Sequence, residues 1–338
     1  MKYDLVAYIG RFQPFHVGHK SVIDYALTIS GRVAVLVGSA DGPRTPKNPW
    51  TAVEREAMIR ANYSAEENAR LIFIPIEDYP YRHDRWLSMV SDRIYGAAFS
   101  VWKADGYKIG LIGVDKDHTS FYLHHFPQFE AIPFTPDKII NATDIRRLFF
   151  SVRSRVDESV PAPTAAFLQE FYDTLEYTYV CNEWKWVEAY KKSWDKSPFP
   201  PVFMTVDAVV TNAAHILLVT RRDNPGQGLL ALPGGYLKAG KTLKQTMLEE
   251  LDEETNIKVP MAVLRGSIKS RRTFDDPGRS LRGRAITEAF HIALDEKTLP
   301  KVKGGDDAAH AQWVHLSQVK RSNMFEDHYH IIDAMVGL

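Results

Sequence analysis

The chain has 338 residues, 45% of them hydrophobic and 25% charged, and its 42 basic side chains balance 42 acidic ones. Such a composition belongs to a globular protein of about two domains and excludes disordered, collagen-like and coiled-coil chains. The balanced charge argues against a bulk electrostatic grip on nucleic acid or on an anionic membrane.

A single cysteine, Cys181, allows no intrachain disulfide and no cysteine metal cluster, which suits a reducing cytoplasm. The opening MKYDLVAYIG carries Asp4 beside an apolar run too short for a signal peptide. No stretch approaches the roughly 18 apolar residues of a membrane span.

In chain order, residues 5–10 (LVAYIG) predict a buried strand, 18–30 a helix, 32–39 a strand, 51–62 a helix and 71–76 a strand. A helix over 84–99 and a strand over 108–114 follow. Strands alternating with helices predict an α/β domain with a parallel sheet. Its ligands are then expected in the loops after Ile9, Val37, Ile76 and Ile112. Residues 160–177 and 182–195 read as two helices, and SPFPP (197–201) punctuates the chain. Beyond it, strand-like runs at 202–210, 215–222, 286–294 and 311–316 flank one charged helix at 243–255. The expected organisation is a first domain over 1–182, a helical, proline-rich linker over 183–201 and an α+β domain over 202–338.

The loop GRFQPFHVGH (10–19) joins the first strand to the first helix. His16 and His19 share one face at the opening of that helix, Gly18 lets a ligand approach the backbone, and a helix N-terminus favours anions. With Arg11 these groups make a polyphosphate site. The decapeptide resembles the phosphate signature of the HxGH nucleotidyltransferases, most closely the archaeal-type nicotinamide mononucleotide (NMN) adenylyltransferases. KNPWTAVER (47–55), PIEDYPYRHDRW (75–86) and NATDIRR (141–147) match further segments of that family in order.

The resemblance implies a Rossmann-like fold and transfer of adenylyl from ATP to NMN, giving NAD and pyrophosphate, with Mg²⁺ as cofactor. The nucleophile is already an anion, so the chemistry asks for positioning and charge neutralisation. Arg11, His16, His19 and Arg146 are the implied catalytic residues. Gly10, Phe12, Lys47, Trp50, Arg55, Asp78, Trp86, Gly113, Asp115, Asn141 and Thr143 are the implied substrate contacts. Among these, Trp86 is placed against the cationic pyridinium and Asp78 against the amide of NMN. Ala142 departs from the family, where a Ser or Gly commonly precedes the Thr.

GYLKAGKT (235–242) satisfies the pattern of a phosphate-binding P-loop. The strand pattern offers no large parallel sheet for it, and carboxylates crowd the following helix. The longer segment ALPGGYLKAGKTLKQTMLEELDEETNI (231–257) instead resembles the Nudix box. Glu250, Glu253 and Glu254 fall on one helical face and make a site for a hard cation, Mg²⁺ or Mn²⁺. RSLRGRAIT (279–287) and GGDDAAHAQWVHL (304–316) resemble segments of the Nudix half of bifunctional proteins, with Arg282 and Arg284 as implied ADP-ribose contacts. Three positions depart from the box: Lys241 stands for its first Glu, Glu249 for its Arg and Asn256 for its late Gly. Glu249 and Glu253 then form a like-charge pair that disfavours the helix by roughly 0.2–0.5 kcal/mol when metal is absent.

Two readings of this domain follow. The retained carboxylates favour an ADP-ribose pyrophosphatase yielding AMP and ribose 5-phosphate. Lys241 and Glu249 favour a weakened module that binds ADP-ribose or a related nucleotide as a sensor. The expected partners are small molecules, namely ATP, NMN, NAD and ADP-ribose, with neither nucleic acid nor membrane; a homo-oligomer is left open.

Overall fold

A computed structural model of the chain describes residues 1–102, 106–114, 125–136, 138–152, 158–305 and 308–338. The chain divides into two compact units, Met1–Cys181 and Asn182–Leu338.

The first unit runs β1 (Tyr3–Gly10), α1 (Val17–Ile29), β2 (Ser30–Val37), α2 (Ala52–Arg60), α3 (Ala65–Asn68), β3 (Leu71–Pro75), α4 (His83–Trp102), β4 (Ile109–Val114), β5 (Glu130–Phe134), α5 (Ala142–Val152) and α6 (Ala162–Phe171). Its five strands lie in the order β3-β2-β1-β4-β5, all parallel. Leu5 to Ala7, Val33 to Leu36, and Leu111 and Ile112 are fully buried, as a sheet covered on both faces requires. The strand order reverses between β1 and β4, which puts a ligand crevice at the carboxyl ends of those strands. β5, EAIPF, escapes the sequence reading because its apolar run is short and broken by Pro133, and only Ile132 of its five residues is buried.

The single helix expected over residues 160–177 is a correction: α6 stops at Phe171 and α7 (Leu175–Lys192) starts afresh. The Tyr172, Asp173 and Thr174 N–H groups bond three residues back and tighten the last turn. Thr174 Oγ1 then accepts from Tyr177 N at 3.1 Å and caps the new helix. The division between the units falls within α7, after Cys181.

The second unit continues with β6 (Val202–Asn212), β7 (His215–Arg221), β8 (Leu230–Ala231), β9 (Gly234–Tyr236), α8 (Leu243–Thr255), α9 (Met261–Gly266), β10 (Ile268–Phe274), β11 (Arg284–Leu294), β12 (Ala308–His315) and α10 (His328–Val336). Seven strands form a mixed sheet in the order β10-β11-β6-β7-β12, with β8 on β7 and β9 on β6. Among the described strands of this sheet, β11 and β6 pair in parallel and the other pairs are antiparallel. Met247, Leu248 and Leu251 of α8 pack on Val206, Ala208 and Val210 of β6. A capping box of Thr242 and Gln245 starts α8. Asn256 closes it at φ 43°, a left-handed position that Asn tolerates next best to Gly. The P-loop pattern is a decoy here, because β9 pairs antiparallel with β6 and no parallel strand leads into the loop. Among the described residues no helix is long and apolar enough to cross a membrane.

Candidate active sites

The loop after β1 carries the first site. His16 is the N-cap of α1, and its Nδ1 accepts from His19 N at 3.3 Å. With Nδ1 accepting, the proton of the neutral ring sits on Nε2, which becomes a donor. The two imidazoles stack with centroids 3.6 Å apart. A Cβ on Gly18 would meet the His16 ring at 3.1 Å, which explains the glycine between them. Phe12 is buried at φ 52° and sets its ring edge-on to Tyr8 and His19.

Two buried arginines fasten this loop. Arg55, fully buried on α2, donates from Nη1 to Arg11 O and Gly38 O at 2.6 Å each, from Nη2 to Ser39 O and from Nε to Thr51 O. Arg146, on α5, donates from Nη1 to Gln13 O at 2.6 Å and from Nη2 to Thr143 Oγ1 at 3.1 Å. Burial pushes both guanidinium groups down to about 10, helped in each case by repulsion from Arg11, yet both remain cations at neutral pH. Asp78, which accepts from Ser39 Oγ at 2.6 Å, lies in the field of Arg55. Positive charge from Arg11, Arg55 and Arg146 thus gathers where the strands end, an arrangement that suits an anion.

Gln13 completes the bracing: its Nε2 donates to Trp50 O at 2.8 Å and its Oε1 accepts from Trp50 N at 3.1 Å. Trp50 itself is core, packed against Phe149 and Phe171. Of the expected substrate contacts, Arg55 and Trp50 are therefore enclosed and engaged by the protein. Asn141 caps α5 through Oδ1, which accepts from Thr143 N at 2.9 Å, so Ala142 opens the helix without needing a hydroxyl. Trp86 is half-buried, parallel to His83 and tilted against Phe126. Gly10 ends β1, Gly113 is buried in β4 and Lys47 is half-buried in the segment before α2. Asp115 lies outside the described residues.

In the second unit, Gly235 leaves room for the Glu250 carboxylate, which a Cβ would meet at 2.7 Å. Glu254 accepts from Gly234 N at 2.9 Å, and burial, helped by Glu250, pushes its carboxyl up to about 8. Glu253 and Glu250 face Lys238, whose Nζ lies 2.6 Å and 3.0 Å away. Among the described residues no three His, Cys, Asp or Glu side chains are arranged to hold a metal ion.

Lys241 folds back from the loop before α8 and hydrogen-bonds Glu249, the two reversed charges meeting each other. The expected repulsion between Glu249 and Glu253 is offset by lysines: Lys241 pairs with Glu249, and Lys238, shared with Glu250, pairs with Glu253. Arg282 lies beside the Tyr236 and Phe325 rings and reaches Tyr236 Oη and Glu326 at 3.3 Å and 3.4 Å. Arg284 donates to Asp275 O.

Two family models match the chain, Cytidylyltransferase-like over residues 7–83 and NUDIX domain over 202–335. A nicotinamide/nicotinic acid mononucleotide adenylyltransferase of Acinetobacter baylyi is 36% identical over 177 residues, covering 52% of this chain and 90% of that protein. An ADP-ribose pyrophosphatase of Methanocaldococcus jannaschii is 31% identical over 129 residues, covering 38% and 70%. The crystal structure of a bifunctional NMN adenylyltransferase/ADP-ribose pyrophosphatase from Francisella tularensis, complexed with AMP and a manganese ion, superposes with a TM-score of 0.91 at 33% identity, covering 99% of this chain and 98% of that one. The chain belongs to this bifunctional family.

Sequence reasoning missed several residues that shape the two family sites. Gln13 sits inside the quoted decapeptide, yet its role depends on Trp50, 37 residues away. Arg279 forms a buried, bidentate pair with Asp327, 48 residues on, which no local pattern announces. Lys238 sits inside both the P-loop pattern and the Nudix-like segment, yet its role depends on Glu250 and Glu253, 12 and 15 residues on.

The Gln13 bridge yields a stability test. Gln13→Leu leaves a buried N–H and a buried C=O of Trp50 without a partner, at a cost of about 2–4 kcal/mol. Denaturant unfolding of the full chain should show that loss in the transition of the first unit; a change within error of zero would mean that the amide holds nothing.

Proposed function

We propose that the first unit joins the phosphate of NMN to the α-phosphorus of ATP, forming NAD and releasing pyrophosphate. The observation that supports this reading best is the loop of residues 10–19, held by Arg55 and Arg146 with His16 and His19 stacked at the N-terminus of α1. An NMN phosphate oxygen attacks the α-phosphorus, and the bond to the β-phosphate bridge breaks. Arg11, His16, His19 and Arg146 neutralise charge on the α-phosphate and on the departing pyrophosphate. Gly10, Phe12, Lys47, Asn141 and Thr143 line the polyphosphate, Gly113 the adenosine, and Asp78 and Trp86 the nicotinamide. Arg55 and Trp50 act behind them as positioning residues.

The second unit hydrolyses ADP-ribose in this reading. Water adds to one phosphorus of the diphosphate, the P–O–P bridge breaks, and AMP and ribose 5-phosphate leave. Arg282 and Arg284 bind the nucleotide. Glu250, Glu253 and Glu254 fit a divalent cation by their chemistry, three carboxylates on one face of α8, one of them buried and pushed up to about 8. Such an ion, Mg²⁺ or Mn²⁺, supplies charge neutralisation for the phosphates when bound. A cytoplasmic setting goes with both reactions and with the lone, buried Cys181.

Two outcomes test these assignments. His19→Ala should lower kcat for NAD formation about a hundredfold, the scale for losing one transition-state donor; turnover near that of the parent removes His19 from the mechanism. For the second unit, Lys241→Glu alone and Glu249→Arg alone should each cut ADP-ribose hydrolysis about fivefold, while the double change restores it. If Glu249→Arg alone raises the rate, the reversed pair is decay and not compensation.

A further inference from the structure

Lys238 stands where the carboxylates of α8 would be expected to need a metal. Its Nζ lies 2.6 Å from Glu253 Oε2, 3.0 Å from Glu250 Oε1 and 3.8 Å from Glu249 Oε2. The backbone delivers it there: Lys238 N donates to Thr246 Oγ1 of α8, and Lys241 N closes the turn on Lys238 O at 3.1 Å. Lys241 takes Glu249, so the ammonium of Lys238 is left to Glu250 and Glu253. Glu254 is held apart by Gly234 N.

We propose that Lys238 is a resident counter-cation of the α8 carboxylates that a divalent ion must displace, so that this lysine sets the metal affinity of the second site. The proposal rests on the Nudix reading of that unit. An ammonium and a divalent cation compete for the same oxygens, so occupancy by one lowers affinity for the other by the cost of displacement. The exchange is feasible because the side chain is 30% exposed and sits on a flexible stem that swings into water. The carboxylates stay compensated without metal, and α8 is spared their mutual repulsion.

The test is Mn²⁺ binding to the full chain without nucleotide, followed by the electron paramagnetic resonance of free Mn²⁺. Glu253→Gln identifies the binding that belongs to α8. Lys238→Met should bind Mn²⁺ at that site about tenfold more tightly than the parent, the scale for releasing two or three partly exposed charge contacts. Lys238→Arg, which keeps the charge, should stay near the parent. Unchanged or weaker binding by Lys238→Met overturns the proposal. So does a raised KM for ADP-ribose with unchanged Mn²⁺ affinity, which would make Lys238 a substrate contact. If neither the parent nor Lys238→Met shows binding that Glu253→Gln removes, the metal reading of α8 falls with it, whereas equal Glu253-dependent binding in both overturns the Lys238 proposal alone.

Discussion

Two guanidinium groups buried beside one loop hold the first site in shape. Arg55 and Arg146 come from helices far apart in sequence and donate to carbonyls two residues apart, Arg11 O and Gln13 O. Each such charge-assisted bond contributes about 1.5–3 kcal/mol, and a buried guanidinium without its acceptors would be costly. The planar peptide adds a directional consequence: with the Arg11 carbonyl turned to Arg55, the Phe12 N–H points the opposite way. The cations that brace the loop also leave a positive field at the ends of the strands, so bracing and anion attraction come from the same side chains. His16, as the N-cap, braces the helix start by accepting through Nδ1 and leaves its Nε2 N–H as a donor.

The second site shows the opposite sign of the problem. Five carboxylates, Glu249, Glu250, Asp252, Glu253 and Glu254, crowd one turn and a half of α8, and the unit answers with lysines from the loop before it. The Nudix box ordinarily has Glu and Arg where this chain has Lys241 and Glu249. Inverting both keeps the sum of charges and, through the contact between them, the pairing. The inversion is possible because Lys241 sits in a loop, with Gly240 at φ 77° beside it, and not on the helix axis. Asn256 is a similar case of one residue meeting another's conformational demand.

The sequence made the parallel strands legible because burial on both faces writes them as continuous apolar runs. It made the phosphate loop legible because a histidine pair, a glycine and a helix start must be adjacent to work. β5 was hidden by its shortness and by Pro133 within it, and the break at Thr174 by a tightened turn that uses ordinary residues. The burial of Arg55 and Trp50 was hidden for a different reason. Both belong to a family segment, but what they touch is set by contacts to Arg11, Gly38, Gln13 and Phe149, none of which is local. The meeting of Lys241 with Glu249 depended on a fold-back that helix geometry alone argues against.

One chain thus carries two phosphate chemistries in two units, one making a diphosphate bridge and the other breaking one. Phosphorus NMR on the full-length protein with a divalent cation tests this most directly, in one sample given NMN and ATP and another given ADP-ribose. Resonances of NAD and pyrophosphate should grow in the first and those of AMP and ribose 5-phosphate in the second. Unchanged spectra in either sample, from protein that is folded by circular dichroism, would contradict it.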